Sequence, residues 1–162
     1  MSLVVPFDGS TLAKAALVRA VQFEKVLEED VLVVSVVPQN NTQYARERGW
    51  IDQRKPYDTE TVLSHLKSSV ANLAPDASFH SISVGRHAPR GTIAGRIRRF
   101  ARENDASIVF IGSENAGRIV SSITVGQSVA GDRSYDTFIV TNERLPEIEK
   151  LEEAVPTEEL LS

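Results

Sequence analysis

Residues 111–128 read IGSENAGRIVSSITVGQS, an apolar end followed by Gly112, Gly117 and Gly126 among small polar residues. Glycines between a strand and a helix let backbone N–H groups approach a phosphate. At a helix start, here Gly126, Gln127, Ser128 and Val129, such groups hold an anion with help from the helix dipole. The same residues suit a plain connecting turn, so the segment alone leaves both readings open. A second candidate is Asp8, in Asp8-Gly9-Ser10. Its carboxylate suits a ribose hydroxyl or a magnesium ion, or a hydrogen bond to its own turn as an Asx motif.

Other chemistry-bearing residues have plainer alternatives. Arg86, Arg90, Arg96, Arg98, Arg99 and Arg102 form a basic cluster before Glu103. They fit either an acidic partner or the solvated face of a helix. His87 has no acid or base beside it in sequence and reads as a loop residue. Tyr44 and Trp50 fit a lid or, more simply, a hydrophobic anchor for the segment that carries them. The three histidines are scattered and there is no cysteine, which speaks against zinc, disulfide and thiol chemistry.

The elements that must position these residues follow from the hydrophobic pattern. A chain of 162 residues with 41% apolar and 25% charged residues suits one soluble domain. No apolar run approaches membrane-spanning length, and the start MSLVVPFDGS reads as a first strand without a secretory leader, so the expected address is the cytoplasm. A net charge of -4 argues against general nucleic-acid binding. Residues 3–7 and 31–37 are β-branched apolar runs, the second covered on both faces. Between them Ala13, Ala16, Leu17, Ala20, Phe23 and Leu27 recur at helical spacing after Ser10, a good N-cap.

Residues 38–57 show no clear period and read as a long loop or partly ordered insertion, of the kind that often sits over a site. A helix capped by Asp58 or Thr59 follows and ends at Pro75, then an alternating strand at 79–84 and a helix at 92–104. Strands at 107–111 and 135–141 bracket a short helix between Gly126 and Gly131 or Ser134. Strands and helices alternate throughout, which predicts an α/β fold, a doubly wound five-stranded parallel sheet with helices on both faces. One domain spans 1–141. The remainder, 142–162, has seven Glu against two basic residues, with Leu145, Ile148 and Leu151 able to pack, and is expected to be extended or partner-packed.

If the strand order is 3-2-1-4-5, the loops after strands one and four face each other across a crevice, where such sheets bind ligands. At these positions the chain resembles the universal stress protein family over about residues 2–141, in "VVPFDGS" and in "VGRHAPRGTIAGRIRRFARENDASIVFIGS". The resemblance implies an adenine nucleotide, ATP or AMP with or without Mg, held in that crevice. The first-strand Asp8, with Pro6 and Phe7 beside it, and Val36 in the second strand would frame adenine and ribose. The phosphates would lie against a Gly-x2-Gly-x9-Gly-[Ser/Thr] loop. Here Gly112 matches, but Asn115 takes the second glycine position, ten residues separate it from Gly126, and Gln127 precedes Ser128. Asn tolerates positive φ best among non-glycine residues, and Gly117 adds freedom nearby.

The expectation is therefore a stress-response protein that binds an adenine nucleotide or has lost that ability, and acts through conformation or a protein partner. Between Ser113 and Thr124 only Glu114 and Arg118 are chemically active, in no catalytic arrangement, so no enzyme is expected beyond weak ATP hydrolysis. A phosphorylatable receiver would need an acidic pair after strand one, an Asp after strand three and a Lys after strand five; these places hold Asp8, Gly85-Arg86 and Asn142. An adenylate-forming enzyme usually carries a richer glycine loop after strand one. The family pairs its fifth strand across a two-fold axis, which implies a homodimer here through Tyr135, Phe138, Ile139 and Val140, extended by the later leucines and isoleucine.

Overall fold

The computed structural model describes residues 1–113 and 134–142. Its elements are β1 (Ser2–Pro6), α1 (Thr11–Leu27), β2 (Asp30–Pro38), α2 (Thr42–Glu47), α3 (Thr59–Leu73), β3 (Ser78–Val84), α4 (Arg90–Glu103), β4 (Ala106–Gly112) and β5 (Asp136–Val140). All strand pairs are parallel, in the order β3-β2-β1-β4-β5. Asn115, Gly117, Gly126, Gln127, Ser128 and Val129, the short helix expected after them, and residues 143–162 lie outside the described part.

Alternation along the central strands sorts their side chains to two cores. Leu3, Val5, Phe7, Val33 and Val37 pack with α1 and α3, whereas Val4, Val34 and Val36 pack with Ala94, Ile97, Phe100 and Ala101 of α4. Helices thus cover both faces, as an all-parallel sheet requires. The edge strand β3 keeps the half-polar pattern of a strand with one poorly covered face. At the opposite edge β5 pairs with β4 alone among the described strands. Phe23, Phe110 and Phe138 cluster there, with ring centroids 5.3 to 5.7 Å apart.

The segment 38–57 departs from the expected loop. It contains α2 and buries Ala45, Trp50 and Ile51 in the α1/α3 core. Six helical residues are too few to show a 3.6-residue period, so the sequence pattern conceals the helix.

Small residues let α1 lie close to the sheet: Ala13, Ala15, Ala16 and Ala20 are all buried. The approach is closest at Gly112, where a Cβ would sit 2.8 Å from the carbonyl carbon and Cβ of Leu12 and 3.0 Å from the Ala13 nitrogen. Two of these atoms are backbone and cannot swing aside. Gly112→Ala is expected to destabilise the fold by about 1–3 kcal/mol through overpacking, read as a lower denaturant midpoint at unchanged slope. An unchanged midpoint would show that α1 can retreat.

Candidate functional site: the crevice above β1 and β4

The turn from β1 into α1 is built by its own side chains. The Phe7 N–H donates to the Val34 carbonyl at 2.9 Å, carrying the ladder one residue beyond β1. Asp8 Oδ1 then accepts from the Ser10 N–H at 2.9 Å, an Asx turn, while Gly9 takes φ 82°. Ser10 caps α1, its hydroxyl accepting from the Ala13 N–H at 3.2 Å. The plain reading of Asp8 is thus present in the structure. It occupies one carboxylate oxygen of a half-buried side chain and leaves the other to be placed by the same turn.

Register sets what lies beside Asp8. Pro6 is level with Val34 and Val4 with Val109. Continued at equal steps, Asp8 comes level with Val36 of β2 and with Ser113 just past β4. That continuation would put the three at the C-terminal edge of the sheet, at the place where the chain winds outward in both directions. The Ser113 N–H donates to the Val140 carbonyl at 2.9 Å, tying the start of the glycine segment to β5. Val36 is 9% exposed on the α4 side, with β2 continuing two residues past it. Phe7 is 3% exposed on the opposite side, within the α1/α3 core, so what it offers this edge is backbone. Its carbonyl accepts the buried Ser35 hydroxyl at 2.6 Å. Pro6 is buried.

The α2 segment is fastened to this corner. Asn41 caps it, accepting from the Tyr44 N–H at 3.0 Å and donating its amide to the Arg86 carbonyl in the β3–α4 turn. At its other end the Gly49 N–H reaches the Arg46 carbonyl at 3.0 Å and the Trp50 N–H reaches the Ala45 carbonyl at 2.9 Å, with Gly49 at φ 71°. That pair of bonds is a Schellman ending, which needs a left-handed residue at Gly49 and turns the next side chain back beneath the helix. Trp50 is therefore driven into the core, where its indole Nε1–H donates to the Asp8 carbonyl at 2.7 Å. Tyr44 meets Trp50 edge-on at 5.5 Å, and the Arg48 guanidinium lies 3.4 Å above the Tyr44 ring centre. Burial pushes the Tyr44 hydroxyl above its usual pKa; Arg48 pulls it down and the Asp8 carboxylate pushes it up.

Tyr44 and Trp50 are thus the anchor of the insertion. Arg48 escaped notice in the sequence, and Asn41 and Gly49, which there fit a polar loop, are ordinary start and stop signals for a helix. Arg99 pairs with Glu103 at 2.8 Å on the exposed face of α4, and His87 sits in the turn before that helix. Of the residues expected at the dimer edge, Phe138 and Ile139 are 37% and 47% exposed, while Tyr135 and Val140 face the protein's own two cores. Among the described residues no three His, Asp or Glu side chains gather as a metal site, and no helix is long and apolar enough to cross a membrane.

The order β3-β2-β1-β4-β5 with helices on both faces defines a doubly wound α/β protein. Residues 1–129 match the model of the universal stress protein family, and the chain belongs to that family. The fold is similar to that of the universal stress protein from Archaeoglobus fulgidus, solved in complex with dAMP, at TM-score 0.57 and 19% identity over 87% of this chain and 98% of that one. It is also similar to a universal stress protein in complex with cAMP, at 0.58 and 20% over 87% and 97%. UspA from Lactobacillus plantarum aligns at 0.57 and 16% over 87% and 97%. Among curated proteins no sequence match is found.

Proposed function

We propose that this universal stress protein binds an adenine nucleotide, ATP or AMP, in the crevice above β1 and β4, and acts as a non-catalytic cytoplasmic module of the stress response. The observation that carries the reading is the register Pro6–Val34 and Val4–Val109 at the point where the sheet order reverses, which, continued beyond β1, would bring Val36, Asp8 and Ser113 to one edge. Val36 and Asp8 offer an apolar wall and a carboxylate for adenine and ribose, and the glycine segment that starts at Gly112 would lie against the phosphates. Support comes from family membership and from fold neighbours that hold dAMP and cAMP. A magnesium ion, if it enters, would come with ATP and meet Asp8.

Two observations favour a second reading, an interaction protein of the same family that no longer takes nucleotide. Gly112 is required by its contact with Leu12 whatever the loop binds, and Asp8 already braces its own turn. Calorimetric titration with ATP and AMP, with and without Mg²⁺, separates the two. Saturable heat is expected; no heat and no thermal shift at millimolar nucleotide would leave the second reading standing.

Either reading keeps a homodimer through β5. Among the described residues that strand has one edge without a partner strand, with Phe138 and Ile139 half-exposed beside it. Light scattering at micromolar concentration is expected to give twice the chain mass, and Ile139→Asp to reduce it; a monomeric wild type would remove the dimer.

A further inference from the structure

The α2 corner carries a cation that the nucleotide reading has not used. Arg48 lies flat on Tyr44, its Cζ 3.4 Å from the ring centre. Its Nε is buried and has no hydrogen-bond partner, and among the described residues no carboxylate forms an ion pair with it. A guanidinium keeps its charge at every accessible pH and presents N–H donors in a fixed planar fork. Leaving one of those donors buried and unpaired is costly, and stacking on an aromatic ring fixes the plane from which the others point. The arrangement is that of a donor set held ready for an acceptor.

Its position follows from the bonds of the same segment. Trp50, two residues on, is tied to the Asp8 carbonyl, and Asn41, at the start of α2, is tied to the β3–α4 turn. The segment therefore spans the C-terminal edge of the sheet from β3 to β1. The Tyr44 hydroxyl feels both Asp8 and Arg48, which puts acid and base on the same phenol. Arg46 also has a buried, unpartnered Nε, but its guanidinium is engaged by the segment itself, donating to the Lys55 carbonyl at 2.9 Å.

We infer that Arg48, stacked on Tyr44 beside the Asp8 turn, is an anion-binding residue of the crevice that takes a phosphate group. The inference rests on the nucleotide reading for the source of that phosphate, and a free phosphate ion offers the same chemistry. It assigns part of the anion binding to the β2–α3 insertion, in a chain whose glycine segment holds Asn115 and Gln127 where the family's pattern has a glycine and a hydroxyl residue. Arg48 acts by a charge-assisted hydrogen bond, so its contribution appears only for ligands that carry phosphate.

Arg48→Met keeps the apolar stem over Tyr44 and removes the charge and the donors. AMP, adenosine and inorganic phosphate are titrated into the wild type and the variant, with thermal unfolding in the absence of ligand as the check on folding. Expected is a loss of about tenfold or more in AMP affinity with adenosine affinity unchanged. Wild-type affinity for AMP retained in the variant overturns the inference and leaves the nucleotide reading intact, and so does an equal loss for AMP and adenosine. If the wild type binds neither nucleotide nor nucleoside, the nucleotide reading fails and phosphate alone decides. Stabilisation by phosphate that is lost in Arg48→Met supports the anion site, and no phosphate effect in either protein overturns it.

Discussion

The hydrogen bond from the Trp50 indole to the Asp8 carbonyl, at 2.7 Å, joins three parts of the molecule that sequence separates. It fixes the end of β1, closes the α2 insertion onto the core and sets the turn from which α1 starts. Trp50 is buried, so losing the bond would strand its indole donor, at a cost of about 1–3 kcal/mol. The geometry that delivers Trp50 to this point is local: a Schellman ending made possible by the positive φ of Gly49. An Asp8 held from below by Trp50 and from the front by Ser10 has little freedom left, which is the preorganisation a binding carboxylate needs.

The second constraint is steric. The alanines of α1 and the missing side chain of Gly112 bring the first helical turn against β4. A glycine to which the proposed function gives a place beside phosphate is thus already demanded by packing. The two demands do not conflict, because both ask for the same missing side chain at Gly112. It does mean that Gly112 by itself cannot discriminate a binding member of the family from one that has lost its ligand; Asp8 shares that ambiguity through its Asx turn, whereas Arg48 keeps a buried donor without a partner among the described residues.

Most of the fold was legible because burial writes itself plainly on parallel strands. The valine runs around Val4 and Val33, the alternation at Phe79 to Val84 and the N-cap Ser10 each announce an element that the structure contains. The strand order was reachable through the position of the Asp8 turn and the resemblance it supports. What stayed hidden had physical reasons. Six residues of α2 cannot show periodicity, and although Trp50 was legible as a hydrophobic anchor, composition does not tell that its indole would reach the Asp8 carbonyl. Which side of the sheet Phe7 and Val36 take is a matter of register parity, and the two fall on opposite faces. Parity also turns Val140 inward. The later half of the glycine segment, from Asn115 to Val129, remains a reading of sequence alone.

The account stands or falls on where a nucleotide sits relative to the Trp50–Asp8 bond. Amide and indole NMR signals of the full chain, followed while AMP is added, locate it directly. Shifts are expected at Asp8, Gly9, Ser10, Val36 and Ser113 and at the Trp50 indole N–H, all moving on one binding isotherm. Saturable shifts confined to α3, β3 or the exposed face of α4, with the Asp8 turn and the indole unmoved, would contradict it.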